Sequence, residues 1–248
     1  MFSLKTNECS FETSKNIAFI KLNLPEKFNV LSRETIEELS ATCEIIAQTQ
    51  NLRAVILIGE LTNLNEEAKR TSKCRQRVCD LIENFPVPVI AAIDGIAAGG
   101  GFEIALACHL RIASDTAEFS LPETKLGLLS AYATQRLSRI IGEGRANELM
   151  IANKRITSNE ALRIGLVNRV VHQSQLLNEA ESLANEISKL APLAVRALLT
   201  AVVQGADLPI ADSLKLEAKL FSELFATEDM REGTSAFMEK RQPNFQGN

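Results

Sequence analysis

The segment from Val89 to Cys108 limits the fold of this chain more than any other. Val89-Ile90-Ala91-Ala92-Ile93 is a short apolar run of strand length, Asp94-Gly95 follows, and Gly99-Gly100-Gly101 leads into a strongly apolar helix around residues 102–108. A strand, a glycine-rich turn and a helix in that order form the basic unit of α/β architectures. Glycines at such a turn leave backbone N–H groups approachable beside a helix N-terminus, a place that suits an anion or a developing oxyanion. The spacing excludes a P-loop, because no Lys-Ser or Lys-Thr follows, and it does not match the dinucleotide G-x-G-x-x-G. Taken alone, the glycines are explained by tight packing as well as by a functional role.

The rest of the chain agrees with an α/β reading. Residues 17–23 and 53–58 have strand character, the second ending at Gly59, and Ser32 is placed to cap a helix that runs to about Gln48. Residues 66–84 have helical spacing, with Val78, Leu81, Ile82 and Phe85 on one side, and Pro86 and Pro88 stop them. Further short strands are expected at 110–113, 118–121 and 166–171. From Ala131 onward the pattern is mainly helical; Thr157 to Glu160 matches a capping box and Gly165 a helix stop. Pro192 marks the expected junction between a core, residues 1–191, and a C-terminal helical region, residues 192–248. Helices expected at 193–203 and 208–225 follow it, and Leu214, Leu216, Leu220, Phe221, Leu224 and Phe225 give more apolar surface than an appendage buries on itself. They are expected to pack on the core or on a neighbouring subunit.

Composition excludes several classes. With 248 residues, 46% of them hydrophobic, the chain suits one compact domain, or one domain with a helical appendage. A net charge of −4 provides no basic field for a phosphate backbone, so no nucleic-acid partner is expected. Cys9, Cys43, Cys74, Cys79 and Cys108 are odd in number and form no C-x-x-C pair, which predicts reduced thiols in a cytoplasmic setting and no metal site. The N-terminus lacks a basic stretch followed by an apolar one, and no run of about 18 apolar residues occurs, so neither secretion nor a membrane span is expected. His109 and His172 are the only histidines, and no G-x-S-x-G turn accompanies them, which leaves nucleophile chemistry without its parts.

Two carboxylates stand out. Glu103 lies in the first turn of the apolar helix, where the dipole favours it and desolvation does not. Glu123 follows Leu121-Pro122 after an apolar strand, with a backbone fixed by the proline. Each has a bland reading, as a dipole partner and as a turn residue. In order along the chain, Pro25 to Leu31, the run from Pro88 to Gly95, Gly99 to Glu103, Leu121 to Glu123, Thr134-Gln135-Arg136-Leu137, Glu160-Ala161, Gly165-Leu166-Val167 and Ala236 to Arg241 resemble the signatures of the enoyl-CoA hydratase/isomerase (crotonase) family. The resemblance covers nearly the whole chain.

It implies a ββα spiral core with a C-terminal helical trimerisation region, assembled as a homotrimer or a dimer of trimers. It also implies an acyl-CoA substrate, with coenzyme A entering as part of that substrate and no separate cofactor. Gly100 N–H then corresponds to one of two donors to the thioester oxygen, beside Gly99. Glu103 and Glu123 correspond to the paired acid/base groups of hydratases, and Phe237 and Lys240 to positions that contact CoA. The chemistry is coherent, because adding water across an α,β-unsaturated thioester needs one group to deprotonate water and another to protonate Cα. Two carboxylates in an apolar pocket hold different protonation states, since burial and repulsion oppose charging both.

Two departures from the family pattern stand beside the matches. The family follows the strand ending at Gly59 with a loop of about a dozen residues that supplies the first oxyanion donor, whereas here Gly59 runs directly into Glu60-Leu61-Thr62-Asn63-Leu64, residues resembling the helix beyond that loop. The stretch from Gly127 to Thr134 is shorter than usual and lacks the family's paired glycines. The expectation is an ordinary hydratase whose mobile loop is missing between Gly59 and Glu60. Their Cα atoms would then stand well beyond the roughly 3.8 Å of a trans peptide. The alternative is a true deletion in a fold relative that binds acyl-CoA with little or no turnover; isomerase activity is a further possibility.

Overall fold

The computed structural model describes residues 3–5, 9–22, 32–61 and 68–248. Strands β1 (Ser3–Lys5), β2 (Cys9–Ser14) and β3 (Ile17–Leu22) form an antiparallel meander. Helix α1 (Arg33–Ala47) starts at the expected cap, where the Ser32 side chain accepts the Thr35 N–H. Strands β4 (Ala54–Leu61), β5 (Val89–Ala98), β6 (Leu110–Ser114) and β9 (Arg169–Val171) extend β3 in parallel. Helix α2 (Ala68–Glu83) connects β4 to β5, and α3 (Gly100–Ala107) connects β5 to β6. The Pro25 to Leu31 motif lies outside the described residues.

The central strands are covered on both faces, which is why they read as continuous apolar runs. Val55, Leu57, Val89, Ala91 and Ile93 face one core with Ile36, Leu39, Val78, Ile82 and Phe102. Ala54, Ile56, Ile90, Ala92 and Ile112 face a second core built with α7 (Leu176–Ser188). Ala180 and Ala184, one turn apart and fully buried, bring α7 close to the sheet. The expected exposure pattern of α2 holds for Val78, Ile82 and Phe85, while Leu81 sits half-buried at its margin.

β5 has two partners in succession. Ile90 to Ile93 pair with Leu110 to Ala113 of β6, and Ile96 to Ala98 pair with Glu118 to Ser120 of β7 (Glu118–Ser120). The switch falls at Asp94-Gly95, where Gly95 takes a φ of 68° that a side chain would resist. The short strand β8 (Ile156–Thr157) then pairs with β7 in antiparallel fashion. By bending there, β5 turns one sheet into a spiral and carries its end, with α3, away from β6.

β4 corrects one expectation. It runs without interruption through Gly59 and Glu60, with Gly59 paired to Ile93 and Leu61 to Ala97. No loop is missing between Gly59 and Glu60, so the shortening belongs to the chain itself. Glu60 and Leu61 complete a strand instead of starting a helix, and Thr62 to Leu64 lie outside the described residues. The ladder explains the continuity, because pairing with the bent half of β5 satisfies backbone groups that a loop would otherwise leave to solvent.

The remaining helices are α4 (Ala133–Ile141), α5 (Glu143–Ile151), α6 (Ser158–Arg163), α8 (Pro192–Gly205), α9 (Ile210–Leu224) and α10 (Glu228–Glu239). Thr157 caps α6 by accepting the Glu160 N–H, but the Glu160 carboxylate pairs with Lys154 and Arg163, so half of the expected capping box forms. α8 and α9 pack on each other with no fully buried residue, and Leu198, Val202, Leu214 and Phe221 are each more than half exposed. Leu220 and Leu224 are half-buried.

Candidate active site

Two segments leave the same end of the sheet side by side. Ala98 pairs with Ser120 in parallel, so the turn into α3 and the turn after β7 emerge together. Gly99 binds them: its N–H donates to the Ser120 carbonyl at 3.1 Å, and its own carbonyl accepts the Glu103 N–H at 3.0 Å. Its backbone (φ 55°, ψ −129°) lies where only glycine is comfortable. Gly100 and Gly101 are buried in the first turn of α3, and Phe102 packs on Phe119 of β7 with ring centroids 5.4 Å apart. The opposite end of α3 is neutralised by Arg111, a buried guanidinium that donates to the carbonyls of Ala105, Cys108 and Leu166.

Glu103 is 1% exposed and enters the core from the first turn of α3. Its Oε1 accepts the N–H of Tyr132 at 2.8 Å and that of Ala133 at 3.2 Å. Tyr132 is the residue before α4 and offers no side-chain cap of its own, so a carboxylate from another helix caps α4. The positive end of α4 therefore points at Glu103. Glu123, half-buried, opens a 3-10 turn that spans Glu123–Leu126 and closes on Gly127. Thr124 Oγ1 ties that turn to the Met150 carbonyl of α5. Beyond it the chain returns to Tyr132, so residues 99–103 and 121–133 close a ring around the end of β5 and β7.

Phe237 and Lys240 lie elsewhere, at the end of α10. Phe237 is 83% exposed and borders a cavity of about 500 Å³ with Ala191, Phe221, Phe225 and Phe245, a cavity that Gly100, Glu103 and Glu123 do not line. Lys240 ends the helix in a left-handed conformation. The C-terminal tail is fastened to α10 through the buried Asp229 carboxylate, which accepts the N–H groups of Gln246 and Gly247, and Arg53 holds the tail through the Phe245 carbonyl.

His109 is structural. Its Nδ1 accepts the Val89 N–H at 2.9 Å and its Nε2 lies 3.1 Å from the Glu83 carbonyl, which requires the proton on Nε2. Burial pushes its pKa down to about 4, with nearby Arg111 acting in the same sense. His172 is exposed and caps the 3-10 turn before α7. Cys9, Cys43, Cys79 and Cys108 are buried thiols outside any disulfide; burial pushes Cys9 up to about 11 and Cys108 up to about 12. Among the described residues no cluster of three or more His, Cys, Asp or Glu is placed to hold a metal, and no helix is long and apolar enough to cross a membrane.

Sequence reasoning named Gly99, Gly100, Glu103 and Glu123 but not the groups that hold them: the Ser120 carbonyl, the Tyr132 and Ala133 N–H groups, and Arg111. Backbone partners leave no signature in residue type. The Thr134 to Leu137 motif was the nearest signal, because it lies in the first turns of the helix whose N-terminus meets Glu103.

A turn of buried glycines at a helix start, with a buried carboxylate behind it and a second carboxylate on the neighbouring turn, defines a chain of the crotonase fold. Comparison with known proteins agrees. The sequence pattern of the family Enoyl-CoA hydratase/isomerase matches residues 12–248, and the chain belongs to that family. It is similar to a putative enoyl-CoA hydratase/isomerase, YngF, of Bacillus subtilis (40% identity, covering 94% of this chain and 96% of that one). It is also similar to a short-chain-enoyl-CoA hydratase of Clostridium acetobutylicum (37%, covering 96% and 97%). The crystal structure of an enoyl-CoA hydratase from Bacillus anthracis superposes with a TM-score of 0.92 at 36% identity, covering 98% of this chain and all of that one. The match to YngF spans 249 residues yet uses only 94% of these 248, so the relative carries residues that this chain lacks.

Proposed function

We propose that the chain is an enoyl-CoA hydratase that adds water reversibly to a trans-2-enoyl-CoA thioester. The observation that carries this reading is the Glu103 carboxylate, 1% exposed and held by the Tyr132 and Ala133 N–H groups behind the Gly99-Gly100 turn. In this reading Glu103 takes a proton from water as its oxygen attacks Cβ. The C=C electron pair moves toward the thioester, and the enolate oxygen forms against Gly100 N–H at the positive end of α3. Glu123 then delivers a proton to Cα, giving the 3-hydroxyacyl thioester. Phe237 and Lys240 contact the CoA moiety. The exposed apolar positions of α8 and α9 are covered in a trimer or a dimer of trimers, residues 192–248 act as the helical assembly region, and the protein works in the cytoplasm without a separate cofactor.

The uninterrupted β4 supports a second reading. In this reading the donor that the family's loop supplies beside Gly100 is lost with the loop, and the chain serves as an acyl-CoA binder with little turnover. One assay separates the two: hydration of crotonyl-CoA by the full chain, beside calorimetric binding of acetyl-CoA. Turnover that Glu123→Gln abolishes while acetyl-CoA binding persists is the expected result, because the lost proton donor acts in the transition state. Binding with background turnover in the unaltered chain overturns the hydratase reading in favour of the binder.

A further inference from the structure

Tyr132 stands at a stretch where the family pattern has paired glycines, and its surroundings give it more to do than fill space. Its backbone N–H grips Glu103 Oε1 at 2.8 Å while its ring, 7% exposed, packs into the core. Four residues on, the guanidinium of Arg136 lies 5.8 Å from the centre of that ring. Arg136 Nη2 pairs with Glu83 Oε2 at 2.6 Å, both side chains largely buried, and its two terminal nitrogens each reach the Asp207 carboxylate at 3.3 Å. Arg139 adds a second contact to Asp207 at 3.4 Å. Glu83 ends α2 and Asp207 lies between α8 and α9, so a single guanidinium joins three parts of the chain directly behind the residue that holds Glu103.

We propose that Arg136 and the Tyr132 ring are positioning residues for Glu103, forming a brace through which Glu83 and Asp207 set where the carboxylate stands. The geometry supplies the reason. The two amides that hold Glu103 belong to the start of α4, so the carboxylate moves if that start moves. α4 has no side-chain cap on its own N-terminal residue; Glu103 holds its first amides, and the buried Tyr132 ring packs beside them. The ring cannot shift without leaving the guanidinium, and a planar fork engaged by two carboxylates cannot pivot as an ammonium would. Both carboxylates belong to elements outside the ring of residues 99–103 and 121–133, so the brace fixes the site against the body of the fold. A displacement of about 1 Å at a reacting group is enough to cost two orders of magnitude in rate.

The role assigned to Glu103 rests on the hydratase reading; the brace itself does not. Arg136→Gln, which leaves a shorter polar side chain without the charge or the planar fork, is expected to lower kcat on crotonyl-CoA at least tenfold with KM within about twofold, and Arg136→Lys to recover part of the loss. Asp207→Asn should act in the same direction with smaller effect. Independently of turnover, hydrogen exchange read by mass spectrometry should show the Tyr132 and Ala133 amides protected in the unaltered chain and released in both Arg136→Gln and Glu103→Gln, with the rest of the core unchanged. If Arg136→Gln keeps its kcat, or loses it only in proportion to a general rise in exchange across the core, the brace is overturned. If the unaltered chain hydrates nothing, the hydratase reading fails and exchange at those two amides alone decides the brace: release in Arg136→Gln upholds it, and unaltered protection overturns it.

Discussion

The Gly99 N–H donates to the Ser120 carbonyl at 3.1 Å, and that bond locks the turn into α3 against the end of β7. Gly99 makes it from a backbone conformation (φ 55°, ψ −129°) that an L side chain resists. Gly99→Ala is therefore expected to lose about 1–3 kcal/mol of stability. It should also lose more activity than that loss of folded protein explains, because Gly100 N–H turns with it. Thermal denaturation beside crotonyl-CoA turnover at a temperature where the variant is fully folded checks both; unchanged turnover in a folded Gly99→Ala would remove Gly100 from the reaction.

The continuity of β4 through Gly59, Glu60 and Leu61 sets a second expectation. One oxyanion donor is worth about 2.7–4 kcal/mol, or roughly a hundred- to a thousandfold in kcat. Inserting between Gly59 and Glu60 a loop of the length the family pattern has after this strand should raise kcat toward that range if the loop restores the donor. A graft that folds with unchanged kcat would show that this chain does not depend on a second donor from that side.

Stability should fall on mild acidification through His109. Its ordinary pKa of 6.5 is pushed down to about 4 in the folded chain, chiefly by burial, so between these values the unfolded chain binds a proton that the folded chain refuses. The contribution is complete above pH 6.5 and is lost as pH falls toward 4, on the order of 3 kcal/mol in all. Denaturant titrations across that window should show His109→Gln with a flatter pH dependence, smaller by about one proton. An equal slope in both proteins would mean that His109 is charged in the folded state.

The exposed apolar side chains of α8 and α9 carry the assembly expectation. Leu198, Val202, Leu214 and Phe221 are each more than half exposed on a lone chain, and a neighbouring subunit would cover them. Light scattering at micromolar concentration should report a trimer or its multiple, and Phe221→Asp should dissociate it. A stable monomer of the unaltered chain would count against the proposed assembly.

Features governed by near neighbours were legible in the sequence. The Ser32 and Thr157 caps, the apolar runs of β4 and β5, the proline stop after α2 and the glycine turn before α3 each depend on residues within one or two turns, and local propensity and periodicity govern them. The order of motifs singled out Glu103 and Glu123, and the burial of Glu103 in the first turn of α3 is the part of that reading the fold displays. What tertiary structure alone decided was which groups meet across long stretches of chain. Glu103 meets the amides of Tyr132 and Ala133 some 29 and 30 residues away, and Arg136 joins Glu83 and Asp207 at separations of 53 and 71 residues. Backbone N–H groups are the same in every non-proline residue, so no residue type announces which amide will hold a carboxylate. The path of β4 past Gly59 was decided in the same way. The strand continues because the bent half of β5 offers it a ladder, and the position of that bend depends on β6 and β7 competing for one strand.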